Sequence, residues 1–538
     1  MATDGDRPAA RLVRSSPRVA FTVGLTAVTV LGATIRARSL GAALPYTVYY
    51  DEFGIVRPAS RLLARGTWDP GFYWYPSLII YLSAALAKAM SVLGVGGIRS
   101  DARATLASPH LEVVGPPELI LSARLVVWTA STALITITGL LGRRLAGRRV
   151  GLLAAVLAAT MPGLVARGSI AVGDTPGATF VALALLATAH LASTERTTRW
   201  SLVAGVATGL AFTSKYTPGL VGVAPLVVLA ARTDRPLAGR FRLGALVAVS
   251  AVGTVLVTMP ALVIRPRVVL SALGDLNRFY GRQPTTATYW SQLRDPNEIG
   301  TVVLALAALG VVVLLAAGRS RLTTVAALAF GALLGVALLR SGFRPVRNVL
   351  PLDPLIAVAA AAGVDGAARA SRRVTGLPRV ATDLAAVAVV AAVSVAWLTG
   401  PVTSIIEGRD VVDTRVRARE LLAEHVRAGD RVLVADELAF LPSELARLGP
   451  DVEVEVRSQT EPLGDPSRYD FIVRGHLPDH PYAWAILPAD RPTVGSFGGR
   501  PASCSRRDLA PGCPSQPAPK AWHQNRVLIV VVGPPAGG

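Results

Sequence analysis

Eleven stretches of this 538-residue chain are apolar over most of the roughly 20 residues that cross a bilayer as a helix. They run 18–37, 119–141, 149–164, 176–193, 200–214, 216–231, 243–264, 298–318, 321–340, 350–368 and 380–400. In lipid a backbone has to satisfy its own hydrogen bonds, so such stretches fold as helices. The composition agrees: 51% of residues are hydrophobic, 17% are charged, and mean hydropathy is +0.47. An ordinary water-soluble domain is excluded, and the chain reads as an α-helical polytopic membrane protein of about 11 spans. The start, "MATDGDRPAARLVRSSPRVAF", is basic and lacks a small-residue cleavage site, so the first span is expected to be retained.

The net charge is +20, and its cations are nearly all arginine; the lysines are Lys88, Lys215 and Lys520. Arginines crowd four short loops: "GRRLAGRR" (142–149), "ARTDRPLAGRFR" (231–242), "GRSR" (318–321) and "ARASRRVTGLPR" (368–379). Positive charge favours the cytoplasmic side and anionic lipid heads. The surplus is therefore read as topology, with no nucleic-acid partner expected. One alternation places all four loops and the N-terminal tail 1–17 inside, and everything after residue 400 outside. Segment 76–95 would break the alternation if it spanned, and Lys88 near its middle would cost roughly 3 kcal/mol against lipid. It is expected to be an interfacial or re-entrant helix in a first outer loop, 38–118.

From about residue 401 the pattern changes. "DTRVRARELLAEHVRAGD" reads as a polar helix ending at Gly429. The runs 431–436, 452–456, 471–474 and 527–532 read as strands, so 401–538 is expected to form a small extracytoplasmic α/β domain. Cys504 and Cys513 are close enough for a disulfide loop in an oxidising compartment. His476, Asp479 and His480 have metal-ligand side chains but sit in a Pro-rich loop and read as surface residues.

The stretch "YTVYYDEFGIV" puts Asp51 and Glu52 just past the first span. With the alternation above, the same outer face collects Asp174, Lys215, Arg344 and Arg347. Carboxylates act as general bases, and Lys and Arg hold phosphate. The combination suggests group transfer from a lipid phosphate. The plainer alternatives are that Asp51 and Glu52 mark a helix boundary, that Asp174 is an N-cap, and that Lys215 snorkels. Tyr280 and Tyr289, in "FYGRQPTTATYW", are candidates for an acceptor cleft or for an interfacial aromatic belt.

Several motifs resemble the GT-C glycosyltransferases, and within them family 39, which holds the dolichyl-phosphate-mannose protein mannosyltransferases and the lipid A aminoarabinose transferases. They are the acid pair after the first helix, "WDPGFYWYPSLIIYL", Arg124 in "SARLVVW", and "GLLAAVLAATMPGLVARGSIAVGDTPGATF". "GLAFTSKYTPGL" and "FRPVRNVLPLDPLIA" continue the resemblance, which covers residues 18–400. "YWYPS" stands where the protein mannosyltransferases usually carry His-Pro-Pro, and the 265–297 loop is too short for their MIR-type insert.

The resemblance implies an inverting transfer from a polyprenyl-phosphate-linked sugar to an extracytoplasmic glycan, lipid or protein. Asp51 would be the base and Glu52 its helper or a ligand of donor hydroxyls. Asp174, Lys215, Arg344, Arg347 and Arg124 would serve the donor and its phosphate. No cofactor is required by the motifs, and a divalent ion is left open. A flippase or transporter would call for charges near mid-membrane and internal repeats, and a scaffold for a degraded acid pair; neither pattern is present.

Overall fold

The computed structural model describes residues 17–47, 49–94, 117–193, 196–282, 288–342, 344–409, 412–438, 440, 442–458, 461–476, 491–497 and 528–534. All eleven apolar segments are helical. Among the described residues, six helical stretches are long and apolar enough to cross a membrane: Pro17–Ala37, Pro117–Ala146, Leu237–Thr258, Gly318–Leu339, Val346–Thr375 and Arg379–Glu407. The chain is a multi-pass membrane protein.

Prolines set where the remaining spans break. Segment 149–164 splits into Arg148–Thr160 and Pro162–Arg167. Segment 216–231 opens as a 3-10 turn, Thr217–Gly222, before Val223–Ala231. Leu237–Thr258 stops two residues before Pro260, although the apolar pattern runs on to 264. Each proline lacks the N–H that would continue the ladder.

Burial ranks the helices. Val346–Thr375 is 78% buried over its apolar window and forms the centre of the bundle, whereas Leu237–Thr258, at 11%, lies on the rim. The central packing uses small residues. Helix Asp353–Thr375 crosses Thr301–Ala316 at Gly310 and Gly363. A Cβ on Gly310 would overlap the carbonyl of Ala359, and one on Gly363 would overlap that of Leu306. Such close approach maximises van der Waals contact where lipid removes the hydrophobic drive.

Polar contacts define two ends. At one, Arg143 lies 4.8 Å from the Phe21 ring, Arg144 donates to Ser193, and Arg319 donates to the Arg144 carbonyl at 2.9 Å. Arg232 donates to the Leu191 carbonyl at 2.7 Å, and Arg149 pairs with Asp365 and Asp383. The beginning of the first helix and the arginine-rich turns therefore share this end. Asp51, Asp174, Lys215, Glu298 and Arg347 gather at the other.

Between the first two long helices lie α1 Phe53–Arg65 and α2 Leu78–Val92. α1 buries Ile55, Ala59 and Leu62 at helical spacing and ends in the left-handed Gly66, φ +61°. α2 has 15 residues. At 1.5 Å per residue it reaches about 22 Å, short of a hydrocarbon core of about 30 Å. Lys88 on it is exposed, while Ile79, Ile80 and Ala87 pack inward.

The tail carries helix Thr414–His425, capped by Asp413, whose Oδ1 accepts from the Arg415 N–H at 2.9 Å. Strands β1 Arg431–Ala435, β2 Glu453–Arg457, β3 Phe471–His476, β4 Thr493–Phe497 and β5 Leu528–Val532 form a sheet of order β2-β1-β3-β5-β4. β1 pairs parallel with β2 and β3, while β5 is antiparallel to β3 and β4. Four of these strands match the sequence reading; β4 was not read. Cys504 and Cys513, and Asp479 and His480, lie outside the described residues, as does the His476 side chain.

Candidate active site

The 3-10 turn Tyr50–Glu52 points its two carboxylates in different directions. Asp51 faces the cleft and pairs with Arg347 Nη1. Arg347 Nη1 also donates to the Tyr49 hydroxyl at 2.7 Å, and its guanidinium lies 5.3 Å from the centre of that ring. Arg347 comes from the 3-10 turn Val346–Leu352 at the head of the central helix. Burial raises the Tyr49 hydroxyl pKa, with Arg347 opposing it.

Glu52 faces the protein. It is 0% exposed and receives Arg124 in bidentate fashion, Nε to Oε1 and Nη2 to Oε2, both at 2.9 Å. The backbone N–H groups of Ala171 (2.9 Å) and Tyr49 (3.2 Å) donate to it as well. Burial pushes the Glu52 carboxyl up, but Arg124 and these N–H groups outweigh it and hold the group below the ordinary carboxylate range. Arg124 spends its Nη1 on the carbonyls of Leu40 (2.9 Å) and Ala42 (2.7 Å). The pair therefore ties the loops around residues 40–52 and 171 to helix Pro117–Ala146, away from the Asp51 cleft. Glu52, expected as the base's helper or a ligand of donor hydroxyls, and Arg124, expected on the donor phosphate, are here paired with each other.

A second acid–cation pair stands beside the first. Asp174 opens helix Asp174–Leu191, whose N-cap is Gly173, and its side chain takes Lys215 Nζ; it does not cap the helix. Lys215 ends helix Thr197–Ser214 and also donates to Asn348 Oδ1 at 2.8 Å. Asn348 Nδ2 donates to the Tyr289 hydroxyl at 3.2 Å. Arg347 and Asn348, adjacent in sequence, thus connect Asp51 with Asp174 and Tyr289. Tyr280 lies in the field of Arg347 and Asp51, and burial pushes its hydroxyl up to about 12.

Arg344 takes a different set of partners. Its Nε and Nη2 donate to the carbonyls of Ser341 and Leu339, both at 3.1 Å, where helix Gly318–Leu339 leaves acceptors unpaired. Its carbonyl accepts from Gln292 Nε2 at 2.8 Å, and its charge lies in the field of the Tyr289 hydroxyl.

Other residues join the site without having been singled out in the sequence. Arg167 grips Glu298 through two bonds, 2.8 and 2.7 Å, and Asp353 is buried next to Glu298. A Cβ on Gly163 would fall 2.6 Å from Glu298 Oε2, so a larger residue there would have to shift this carboxylate. The rim is aromatic: Trp74 packs 5.4 Å from Phe279, Tyr216 donates to the Tyr73 carbonyl at 2.8 Å, and Arg265 pairs with Asp69 at 3.2 Å. Among the described residues no group of three or more His, Cys, Asp or Glu is placed to hold a metal ion.

The sequence profile described as "Dolichyl-phosphate-mannose-protein mannosyltransferase" matches residues 116–263, a stretch that includes Arg124, Arg167, Asp174 and Lys215. The fold is similar to the crystal structure of ArnT from Cupriavidus metallidurans bound to undecaprenyl phosphate. That likeness has a TM-score of 0.58 at 14% identity, over 95% of this chain and 98% of that one. The chain has the fold of this ArnT. The apo state of the same ArnT is similar to it with a TM-score of 0.55 at 14% identity, over 96% and 98% of the two chains. No curated protein matches in sequence. Within this fold the two acid–cation pairs, Asp51–Arg347 and Asp174–Lys215, stand side by side.

Proposed function

We propose that the protein transfers a sugar from a polyprenyl-phosphate-linked donor to an extracytoplasmic acceptor, a cell-envelope glycan, lipid or protein, with inversion at the anomeric carbon. The arginine-rich end faces the cytoplasm and the site opens on the outer side of the plasma membrane. The observation that carries the reading is the juxtaposition of Asp51–Arg347 with Asp174–Lys215 through Asn348. The likeness to a protein crystallised with undecaprenyl phosphate supports the donor class.

In this reading the donor phosphate competes with Asp51 and Asp174 for Arg347 and Lys215. As the phosphate takes the cations, Asp51 is released to act as a base. It accepts the acceptor's proton while the acceptor oxygen or nitrogen bonds to the anomeric carbon. The bond from that carbon to the phosphate oxygen breaks, and its electron pair leaves with the lipid phosphate. Arg347 and Lys215 stabilise that charge as it develops. Tyr280 and Tyr289 line the approach of the acceptor. Glu52 and Arg124 keep the Asp51 turn in place.

The test is sugar transfer and donor binding by purified protein in nanodiscs across a panel of polyprenyl-phosphate sugars. At least one donor should bind and be consumed, and Lys215→Ala should weaken both. A wild-type protein that neither binds nor consumes any of the panel would overturn the reading. Mass spectrometry of envelope glycans in a deletion strain then identifies the sugar and acceptor.

A further inference from the structure

Two buried arginines at the entrance to the C-terminal domain have no part in the chemistry above. Arg409, 2% exposed, follows helix Thr403–Glu407 and reaches back into the loop before Asp174. Its Nη1 donates to Ser169 Oγ at 3.1 Å, and its Nη2 donates to the Ala166 carbonyl. Arg415, also 2% exposed, is held by both oxygens of Asp413, at 2.9 and 3.0 Å. Its guanidinium lies 3.5 Å from the centre of the Tyr46 ring, and Tyr46 is itself 1% exposed. A cation over an aromatic face is attractive, and more so where water is excluded.

These contacts fall on the two loops that bear the acids. Tyr46 is five residues before Asp51, and Ser169 is five residues before Asp174. The loops are already tied to each other by the Ala171 N–H donating to Glu52 at 2.9 Å. Space around the second loop is tight: a Cβ on Gly168 would fall 2.6 Å from Ser131 Oγ and 2.8 Å from Arg36 Nε. Arg36, fully buried, grips the preceding helix from the other side through the carbonyls of Ala158 (2.9 Å) and Ala159 (2.8 Å). The loop is thus fixed on one side by the bundle and on the other by the stem of the tail.

We propose that Arg409 and Arg415 are positioning residues through which the stem of the C-terminal domain sets the placement of Asp51 and Asp174 for sugar transfer. The proposal rests on the reading of Asp51 as the base. Neither arginine touches substrate; each acts through the loop it holds. Misplacing a reacting group by about 1 Å can cost on the order of 100-fold in rate, so loosening either loop should show in turnover before it shows in binding.

The experiment compares Arg409→Met, Arg409→Lys, Arg415→Leu and Arg415→Lys in the full chain, alone and combined with Asp51→Asn. Arg409→Met and Arg415→Leu should lower kcat by about 30- to 100-fold with the donor KM within about threefold. Each Lys variant should recover much of the loss, because a cation remains. In an Asp51→Asn background the Arg415→Leu loss should shrink to about twofold or less, since residues acting on one group are not additive. A merely structural role would add its loss in that background. Unfolding temperature in detergent is followed throughout. If Arg409→Met does not accumulate, Arg409→Gln replaces it and should show a smaller loss of the same kind. The proposal is overturned if the variants turn over within twofold of wild type, or if the Arg415→Leu loss adds fully to that of Asp51→Asn. An Asp51→Asn protein with wild-type turnover would overturn the base reading instead, which the single arginine variants distinguish.

Discussion

Asp51→Asn should slow transfer and tighten donor binding at once. The amide keeps the size of the side chain and cannot take a proton. Loss of a general base costs about 100- to 10,000-fold in rate. The effect on binding follows from the pair with Arg347, whose side chains are 17% and 11% exposed. In wild type the donor phosphate has to displace the Asp51 carboxylate from Arg347. A partly screened pair of this kind contributes about 1 kcal/mol, so removing its negative partner should lower the donor Kd by about fivefold. Arg347→Ala works in the opposite sense. A hydrogen bond to a charged group contributes about 1.5–3 kcal/mol, so donor binding should weaken by roughly 10- to 150-fold. The assay is sugar transfer in nanodiscs, with donor affinity measured in parallel on folded protein. Near wild-type turnover by Asp51→Asn would refute the base. Slow turnover with weakened donor binding would refute the competition for Arg347.

Four further predictions concern the frame and its placement in the membrane. Arg124→Met should destabilise the protein by about 3–5 kcal/mol because it strands the buried Glu52 charge, and Glu52→Gln in the same chain should return part of that loss; unfolding in detergent measures both, and a cost of Arg124→Met below about 1 kcal/mol would contradict the pair. Because Glu52 is held below its ordinary range, its contribution to stability is complete above the unfolded carboxyl value and is lost as pH falls through the lower folded value. Unfolding followed from pH 5 downward should show that loss in wild type and not in Glu52→Gln. Single cysteines placed near 145, 237 and 375 in a cysteine-free chain should resist impermeant outside reagents, while those near 60, 105 and 450 should react. Cys504 and Cys513 should be oxidised to each other in the native protein, and free thiols trapped by alkylation at isolation would contradict the outward placement of the tail.

Much of the bundle was legible because lipid imposes one rule on every span: a long apolar run has to become a helix. The ends were less legible, since Pro162 and Pro260 break helices inside stretches that stay apolar. β4 escaped notice for a different reason. Its sequence, "TVGSF", is short and contains glycine, and its partner β5 lies more than 30 residues away. At the site the residue types were legible, but their pairing was not. Nothing in the local pattern distinguishes Asp51 from Glu52; the fold does, by turning one to Arg347 and the other to Arg124. Arg344 and Arg347 lie three residues apart, yet one serves a helix end and the other the cleft. Arg409 was hidden by its place at the start of a segment that reads as a separate domain.

The crossing at Gly310 and Gly363 has a mechanical consequence. Two helices locked backbone to backbone act as one post. Glu298 stands just before the first of them, and Asp353 begins the second. That side of the cleft is therefore a fixed jaw, because moving either acid away from the other would mean unseating carbonyls from glycines across the crossing. The opposite jaw is fastened by Trp74 on Phe279, Tyr216 on the Tyr73 carbonyl, Arg265 on Asp69, and the Gly342 N–H donating to the Tyr280 carbonyl at 3.0 Å. A substrate that needed a wider mouth would have to shift the contacts of this second jaw, while Glu298 and Asp353 kept their spacing.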